Sequence, residues 1–378
     1  MSDSLKFSTR AVRATQHRFK DAHPVTTPIY LSTTYERNTD GSYNHDFIYS
    51  RVENPNRLLL EQTIADLEQG VAAYCFASGM AAIHAIFQGL RPGDHVLIPD
   101  DIYYNIYALL KEVFIPWGLE ISLVDMSDLE QIEKAIQENT ALIWAETPSN
   151  PQLKLTDIAA VSKLAKAHNC LLAVDNTWPS PVLMQPLQLG ADIVMHSTTK
   201  YFGGHSDVLG GAVVFKETSD YSERVRRMQS LAGGVPAPFD CWLVSRGIQT
   251  LSVRVLTQSQ TAMKLATYLE GNSAIEHVLY PGLTSHPQHD IAQAQMPNGF
   301  GAMLSVLIKG DAERAIAISN ALQLFTTATS LGAVESLVEH RKSVEGPESA
   351  TPDNLLRISV GLEAVEDLIR DWENALGA

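Results

Sequence analysis

Short apolar runs alternate with helix-length amphipathic segments from about residue 63 to residue 216, and this rhythm limits the folds open to the chain. The runs that we interpret as strands are HVLIPD, ISLVDM, ALIWAET, CLLAVDN, DIVMHS and GAVVFK. Between them, SDLEQIEKAIQEN and TDIAAVSKLAKAHN start with polar residues and place apolar residues three and four positions apart, as amphipathic helices do. Strands that alternate with helices predict an α/β fold with an open, mostly parallel sheet.

The pattern changes on both sides of this segment. Residues 1–58 show no convincing periodicity, and a long irregular segment in a compact protein is often functional. After about Phe239, a long helical stretch (241–271) leads to a smaller unit with the strands MLSVLI and LLRISV and the helices DAERAIAISNALQL and EAVEDLIRDWENAL. We therefore predict an N-terminal arm (1–58), a large α/β domain (59–245) and a C-terminal α+β domain (246–378).

Charge and cysteine content exclude several classes of protein. The chain of 378 residues carries 28 Lys and Arg against 43 Asp and Glu, and this excess of acidic residues disfavours binding to nucleic acid. No apolar run approaches the roughly 18 residues of a membrane span. Cys75, Cys170 and Cys241 are far apart and lie among apolar residues, which predicts core positions rather than disulfides or a zinc site. With no apolar leader in the first residues, we expect a cytoplasmic protein.

The segment DIVMHSTTKYFGGHSDVLGG (192–211) is the most informative one for chemistry. A predicted strand ends near His196, and Ser197 and Thr199 flank Lys200. A lysine at the end of a buried strand is costly unless it has a partner or a covalent role, and nearby hydroxyls suit a phosphate. The segment is neither a Walker loop nor a Rossmann fingerprint. Taken alone, it could also be a polar loop with an exposed lysine.

Three other positions lie at predicted strand or helix ends. Asp175 ends an apolar strand, so its carboxylate either caps a helix or pairs with a buried cation. Gly79 and Met80 follow Ser78 at a helix start, where free N–H groups can bind an anion, although small residues there can also simply pack closely. Tyr103 follows a strand end and could cover a planar ligand or belong to the core.

One ligand would use all four features, and it is pyridoxal 5'-phosphate. Its aldehyde reacts with a lysine amine, its phosphate needs hydroxyl and N–H donors, and its ring nitrogen needs a carboxylate to stay protonated. An aromatic side chain can cover its ring. Ligands of open α/β sheets bind at the carboxyl ends of the strands, where all four features fall. The sequence therefore predicts a pyridoxal phosphate site.

The chain also resembles a known family, the cystathionine and methionine metabolism enzymes of fold type I, which use pyridoxal phosphate. The resemblance runs through most of the chain, and the motifs that carry it are YSRVENPN (49–56), SGM (78–80), PDDIYYNIY (99–107), ETPSNP (146–151), VDNTW (174–178), HSTTKYFGGHSDVLGG (196–211), SLGAVESLVEH (330–340) and LLRISVGLE (355–363). It implies a large domain with a mostly parallel, seven-stranded sheet and a smaller C-terminal domain.

The resemblance implies a role for each cofactor residue. Lys200 would bind the cofactor covalently and later move protons, Asp175 would pair with the pyridinium nitrogen, and Tyr103 would stack on the ring and act as an acid or base. The residues implied at the phosphate are Gly79, Met80, Ser197 and Thr199. The motif GGHSD contains His205 and Asp207, but without further ligands at suitable spacing we predict no metal.

Further matches concern the substrate and a second subunit. Asn150, Ser330 and Arg357 match positions near the cofactor O3' and the substrate carboxylate. Arg357 lies in an apolar strand, where an arginine needs an anion, either an amino acid carboxylate or the partner of a structural salt bridge. Tyr49 and Arg51 match a pair that reaches the cofactor phosphate of a neighbouring subunit. This implies self-association at least as a dimer, with a dimer of dimers as the form that the resemblance suggests.

The reaction is less sharply defined than the cofactor. Members that act on cystathionine at the γ-carbon often carry a glutamate before SLG, where this chain has Thr329, and Trp178 resembles some β-lyases. We expect a carbon–sulfur lyase that performs β- or γ-elimination on cystathionine or a related thioether amino acid. The alternative is a γ-replacement enzyme, a cystathionine γ-synthase or an O-acylhomoserine sulfhydrylase. A scaffold that binds the cofactor without turnover is disfavoured by the intact Lys200 and Asp175.

Overall fold

A seven-stranded sheet forms the larger part of the molecule. The computed structural model describes residues 5–13, 24–43, 47–346, 349 and 351–377. The strands of the large sheet are β1 (Ala72–Phe76), β2 (His95–Pro99), β3 (Glu120–Val124), β4 (Thr140–Glu146), β5 (Leu171–Asp175), β6 (Ile193–His196) and β7 (Gly211–Phe215). They lie in the order β1-β7-β6-β5-β4-β2-β3. Strand β7 is antiparallel to β1 and β6, and the other pairs are parallel. The predicted mostly parallel α/β sheet is confirmed.

A second sheet is formed by the C-terminal part of the chain. Its strands are β8 (Ile275–Leu279), β9 (Met303–Ile308), β10 (Thr326–Thr327), β11 (Leu337–His340) and β12 (Leu355–Ser359). They lie in the order β10-β11-β12-β9-β8, and each pair except β10 with β11 is antiparallel. The two predicted strands MLSVLI and LLRISV are β9 and the centre of this sheet, β12. The exact domain boundaries at 58 and 245 stay a prediction.

The helices surround both sheets. They are α1 (Phe7–Arg13), α2 (Pro55–Glu68), α3 (Gly79–Gln88), α4 (Tyr104–Leu109), a π-helical turn (Leu110–Phe114), α5 (Ile115–Trp117), α6 (Leu129–Ala135), α7 (Ile158–Ala167), α8 (Ser180–Leu183), α9 (Pro186–Leu189), α10 (Asp220–Ala232), α11 (Pro238–Ile248), α12 (Leu251–Glu270), α13 (His289–Gln295), α14 (Ala312–Ala321), α15 (Arg341–Glu345) and α16 (Val365–Gly377). None of the helices in the described ranges has the length and apolar character that a membrane crossing requires.

The central strands are apolar on both faces, which explains their continuous hydrophobic runs. In β4, Leu142 and Trp144 pack with residues of α3, whereas Ile143 and Ala145 pack on the opposite face with residues of α6 and α7. A sheet covered by helices on both sides needs this composition, because neither face meets water. The polar residues that end these strands are therefore confined to the edge where the strands stop.

Local sequence signals set the start of α2. Its first residue is Pro55, and the side chain of Asn54 accepts a hydrogen bond of 2.9 Å from the N–H of Asn56. Asparagine is a preferred N-cap and proline is favoured in the first turn. The alternating pattern that the sequence shows from about residue 63 is therefore preceded by the first turns of α2, which begin at Pro55.

The helical stretch predicted over 241–271 is two helices, α11 and α12, and α11 packs tightly against the loop that follows Lys200. A Cβ atom placed on Gly247 would lie 2.3 Å from the carbonyl oxygens of both Phe202 and Gly203. Only a glycine permits this approach between two backbones. Helix α11 therefore holds the loop of Lys200 in place through backbone contact.

The three cysteines are free and buried, as predicted.

We expect Gly247→Ala to destabilise the protein by about 1–3 kcal/mol, because the added methyl group meets backbone atoms that cannot rotate away. The matched control is Gly271→Ala, since Gly271 has φ −78° and the nearest atom to an added Cβ is 3.6 Å away. That change should alter the free energy of unfolding by less than about 1 kcal/mol. Denaturant unfolding of both variants measures the difference, and equal stability would contradict the proposed close contact.

Candidate active site

A cavity of about 500 Å³ lies at the carboxyl ends of the parallel strands. It is lined by ten of the residues that the sequence singled out: Gly79, Met80, Tyr103, Asn150, Asp175, Ser197, Thr199, Lys200, Ser330 and Arg357. They come from both sheets and from loops far apart in the chain. The fold thus brings the predicted cofactor residues and the predicted substrate residues into one space.

Lys200 follows β6 and lies inside this cavity. Its Nζ donates a hydrogen bond of 2.7 Å to Oγ of Ser330, a residue with φ +88°. A serine in the left-handed region is strained, and such strain is concentrated at functional positions. Burial, together with the positive charge of Arg357, lowers the pKa of Lys200 to about 8. The amine is therefore easily deprotonated, as a nucleophile or a proton acceptor must be.

Two carboxylates end neighbouring strands on the cavity wall. Asp175 ends β5 and Glu146 ends β4, and the two residues are paired in the register of the sheet. Burial raises the pKa of both, and for Glu146 the charge of Asp175 adds to the effect. The Oδ1 atom of Asp175 accepts a hydrogen bond of 3.0 Å from the N–H of Thr177. A buried carboxylate with a raised pKa favours a cationic partner, and a protonated ring nitrogen fits that need.

Glu146 was missed by the sequence reasoning, although it begins the quoted motif ETPSNP. Its carboxylate accepts a hydrogen bond of 3.0 Å from the N–H of Tyr103, so it anchors the start of α4. The signal that revealed Asp175, a carboxylate at the end of an apolar strand, was present at Glu146 as well. The hydroxyl of Tyr103 accepts a hydrogen bond of 2.7 Å from Nδ2 of Asn105.

An anion subsite is formed where α3 begins. Gly79 is the first residue of α3, and a Cβ atom there would lie 3.1 Å from Cβ and Oγ of Ser197. The glycine therefore lets the helix N-terminus approach the loop that carries Ser197 and Thr199. The Oγ1 atom of Thr199 accepts a hydrogen bond of 3.1 Å from the N–H of Gly210. Hydroxyls beside free helix N–H groups are suited to a phosphate.

Arg357 reaches the same cavity from β12 and is 4% exposed. Its Nη1 donates to Oδ1 of Asn150 and its Nη2 to the carbonyl oxygen of Ser330, each at 3.1 Å. It also forms an ion pair with Glu339, a residue that sequence reasoning did not single out. Burial lowers the pKa of Arg357 to about 10. The arginine is thus fixed in orientation by a structural partner and faces the cavity, and its predicted role at a substrate carboxylate stays a prediction.

Tyr49 and Arg51 do not line the cavity. Tyr49 is 42% exposed, and the guanidinium carbon of Arg51 lies 5.6 Å from the centre of its ring. The Nη1 atom of Arg51 donates a hydrogen bond of 2.7 Å to the carbonyl oxygen of Ser230. Their predicted role at a neighbour's cofactor stays a prediction.

In the described ranges, no group of three or more His, Cys, Asp or Glu side chains could hold a metal ion.

The donor set fits pyridoxal phosphate. A lysine amine with a lowered pKa, a half-buried carboxylate with a raised pKa and a helix N-terminus beside two hydroxyls surround one cavity. The close approach at Gly79 leaves a cradle that a larger side chain would fill. Together with the mostly parallel seven-stranded sheet, these features define an enzyme of the fold type I class, which depends on pyridoxal phosphate.

The family follows from comparison with known proteins. Residues 8–377 match the family model described as Cys/Met metabolism PLP-dependent enzyme, and the chain belongs to this family. A cystathionine γ-synthase of Mycobacterium leprae is 43% identical over 375 residues, which cover 98% of this chain and 96% of that protein. A cystathionine β-lyase of Coxiella burnetii is 41% identical, with 97% of each chain covered. The predicted family, fold class and cofactor are confirmed.

A solved structure also matches over nearly its full length. The crystal structure of cystathionine γ-lyase from Lactobacillus plantarum complexed with L-serine has a TM-score of 0.93 and 39% identity, with 99% of each chain covered. The chain is therefore similar to enzymes with three different reactions. Similarity of this kind confirms a pyridoxal-phosphate-dependent enzyme of sulfur amino acid metabolism and leaves the choice among lyase and synthase reactions to the site.

We expect covalent attachment of pyridoxal phosphate to follow the neutral fraction of Lys200. The rate of attachment to the apoprotein should rise with pH and level off above about pH 8, because the pKa of this amine is lowered to about 8. The visible absorbance of the bound cofactor measures the rate. Lys200→Ala should remove the covalent absorbance, whereas the control Lys134→Ala, at a side chain that is 75% exposed, should keep it. A rate that still rises near pH 10 would contradict the lowered pKa.

Proposed function

We propose that this enzyme is a carbon–sulfur lyase that cleaves cystathionine or a related thioether amino acid by β- or γ-elimination. The observation that carries the proposal is the joint position of Lys200, with its lowered pKa, and the buried Arg357 in one cavity. The arginine would bind the substrate α-carboxylate through two parallel hydrogen bonds. The amine of Lys200 is then close enough to exchange protons with the same substrate.

Each residue of this chain has a defined task in such a reaction. Bound pyridoxal phosphate supplies an electron sink for the α-carbon of the amino acid. Asp175 would keep the ring nitrogen protonated, and the start of α3 with Ser197 and Thr199 would hold the phosphate. Lys200 would accept the α-proton at Nζ, and its hydrogen bond to Oγ of Ser330 would orient the amine. Tyr103 would cover the ring.

Two residues that line the cavity favour β-elimination over reactions at the γ-carbon. Thr329 and Trp178 both line it. The γ-acting members that the sequence resembles often carry a glutamate in place of Thr329, and Trp178 matches some β-lyases. The second candidate is γ-replacement by a cystathionine γ-synthase or an O-acylhomoserine sulfhydrylase. The similarity to the Mycobacterium leprae synthase over nearly the whole chain supports this alternative.

We expect the purified holoenzyme to cleave L-cystathionine. Homocysteine with pyruvate would identify β-elimination, and cysteine with 2-oxobutyrate would identify γ-elimination. The measurement is product analysis by mass spectrometry, with Lys200→Ala as the inactive control. Formation of cystathionine from an O-acylhomoserine and cysteine, without cleavage of cystathionine, would refute the lyase and support the replacement enzyme.

We also propose that the active form is at least a dimer, and a dimer of dimers in full. Tyr49 and Arg51 lie outside the cavity of their own chain, and Tyr49 is 42% exposed. In the same arm, Val25 is 83% exposed and Leu31 is 73% exposed. Apolar side chains this exposed favour contact with another subunit.

The three free cysteines suit a reducing compartment, and we place the enzyme in the cytoplasm.

Mixing two inactive variants tests the shared site. Subunits with Arg51→Ala lack the residue proposed to reach a neighbour's phosphate, and subunits with Lys200→Ala lack the cofactor lysine. An equimolar, randomly exchanged mixture should regain up to about one quarter of the wild-type activity, since about half of its dimers are mixed and one of the two sites in each mixed dimer is intact. The control is each variant mixed with itself. No recovery in the mixed sample would indicate that each subunit carries a complete site.

A further inference from the structure

Two charged side chains of α15 face the active-site cavity and have no part in the mechanism above. They are Arg341 and Glu345, which we call the α15 pair, and both line the cavity. The Nε atom of Arg341 donates a hydrogen bond of 2.7 Å to Oε1 of Glu345. Arg341 is 5% exposed. A guanidinium and a carboxylate are thus held together beside the space that a substrate would occupy.

The pair is fixed from several sides. Oε2 of Glu345 accepts hydrogen bonds from Oγ of Ser349 at 2.5 Å and from Oγ1 of Thr351 at 2.6 Å. Burial alone would raise the pKa of Glu345, but these hydrogen bonds and the charge of Arg341 hold it below the usual value. Nη1 of Arg341 donates to Oε1 of Glu339 at 3.2 Å. Glu345 is therefore held as a carboxylate, and both side chains are oriented by hydrogen bonds.

The α15 pair is a short distance from the predicted carboxylate site. Glu339 also forms the ion pair with Arg357, so that one carboxylate lies between the two arginines. Glu345 in addition lines a second cavity of about 550 Å³, which shares Tyr104 and Asn150 with the first. The pair therefore stands where the far end of an extended substrate would lie once its near end is bound at Arg357.

The remaining charges of the cavity are already accounted for. Among the described residues that line it, the charged ones besides the α15 pair are Glu146, Asp175, Lys200 and Arg357. In the arrangement above, Glu146 holds the start of α4, and Asp175 and Lys200 would bind the cofactor. Arg357 would bind the near carboxylate of the substrate. In the same described ranges, no acceptor is bound to Nη2 of Arg341, so the guanidinium keeps a donor for a ligand.

We propose that Arg341 and Glu345 bind the distal amino acid group of a thioether with two amino acid ends, its carboxylate on Arg341 and its ammonium on Glu345. The inference rests on the proposed function, because it assumes that the near end binds at Arg357. A fixed cation beside a fixed anion is complementary to a zwitterion, and it offers little to an uncharged alkyl group. The preferred substrate class is therefore the bis-amino-acid thioether to which cystathionine belongs.

The test compares two ligands on the holoenzyme. L-cystathionine has a distal zwitterion, and S-ethyl-L-cysteine has the same cysteine end with an uncharged distal group. If product analysis shows γ-elimination, S-ethyl-L-homocysteine takes its place, because the homocysteine end is then the near end. Rapid-mixing absorbance titration of the bound cofactor gives a dissociation constant for each ligand before turnover. The variants are Arg341→Gln and Glu345→Gln. The control is Lys134→Gln, which removes a positive charge at a side chain that is 75% exposed and outside the cavity.

We expect both variants to bind L-cystathionine about 10- to 100-fold more weakly, the loss typical of a hydrogen bond to a charged group. Their affinity for S-ethyl-L-cysteine should change less than about twofold. Lys134→Gln should bind both ligands like the wild type. Arg341→Lys should recover part of the affinity, because lysine keeps the charge and loses the planar fork.

Other results separate the two proposals. Equal weakening of both ligands would overturn the inference, because Arg341 would then act by positioning Glu339 and Arg357. Unchanged affinity for L-cystathionine in both variants would overturn it as well. If the wild type binds L-cystathionine selectively but does not cleave it, the lyase proposal fails while the selective loss in the variants still supports the α15 pair. If the wild type does not bind L-cystathionine, both proposals fail.

Discussion

The burial of charged groups at one edge of the large sheet is the constraint on which the site depends. Lys200 is held inside a cavity with a neutral hydrogen-bond partner, Ser330, and beside the positive charge of Arg357, so its ammonium form is disfavoured. Asp175 lines the same cavity half-buried, and desolvation raises its pKa, so its carboxylate form is disfavoured. A bound cofactor that takes up the lysine amine and presents a protonated ring nitrogen relieves both costs at once.

The rest of the structure maintains this arrangement. The parallel strands end in register, which places Asp175 beside Glu146, and the close contact of Gly247 with the loop after Lys200 limits the movement of that loop. The second sheet contributes Arg357 from β12 and Glu339 from β11, so the predicted substrate arginine comes from a different part of the chain than the predicted cofactor residues Lys200 and Asp175. A substrate would therefore lie between two rigid sheets, with each end of it facing fixed charges.

The sequence predicted many of the residues that the fold brings together in the cavity, because those residues carry local signals. Lys200, Asp175 and Gly79 all lie where an apolar run stops or a helix begins, and the family motifs surround them. Glu339 and Arg341 were missed. No local signal distinguishes a carboxylate inside the strand LVEH or an arginine after it, and the role of these residues becomes visible only when β11 pairs with β12. The start of α2 was also missed, because the cap at Asn54 lay in a segment without hydrophobic periodicity.

By itself, the sequence determined the class of fold, the family and the cofactor, because alternating strands and helices and a set of ordered motifs are properties of neighbouring residues. Tertiary structure alone decided which charges share one space. The lowered pKa of Lys200, the bridge that Glu339 makes between Arg357 and Arg341, and the position of Glu345 between two cavities all arise from contacts between distant segments. Burial and electrostatic coupling depend on distance in space, and the order of residues along the chain does not state that distance.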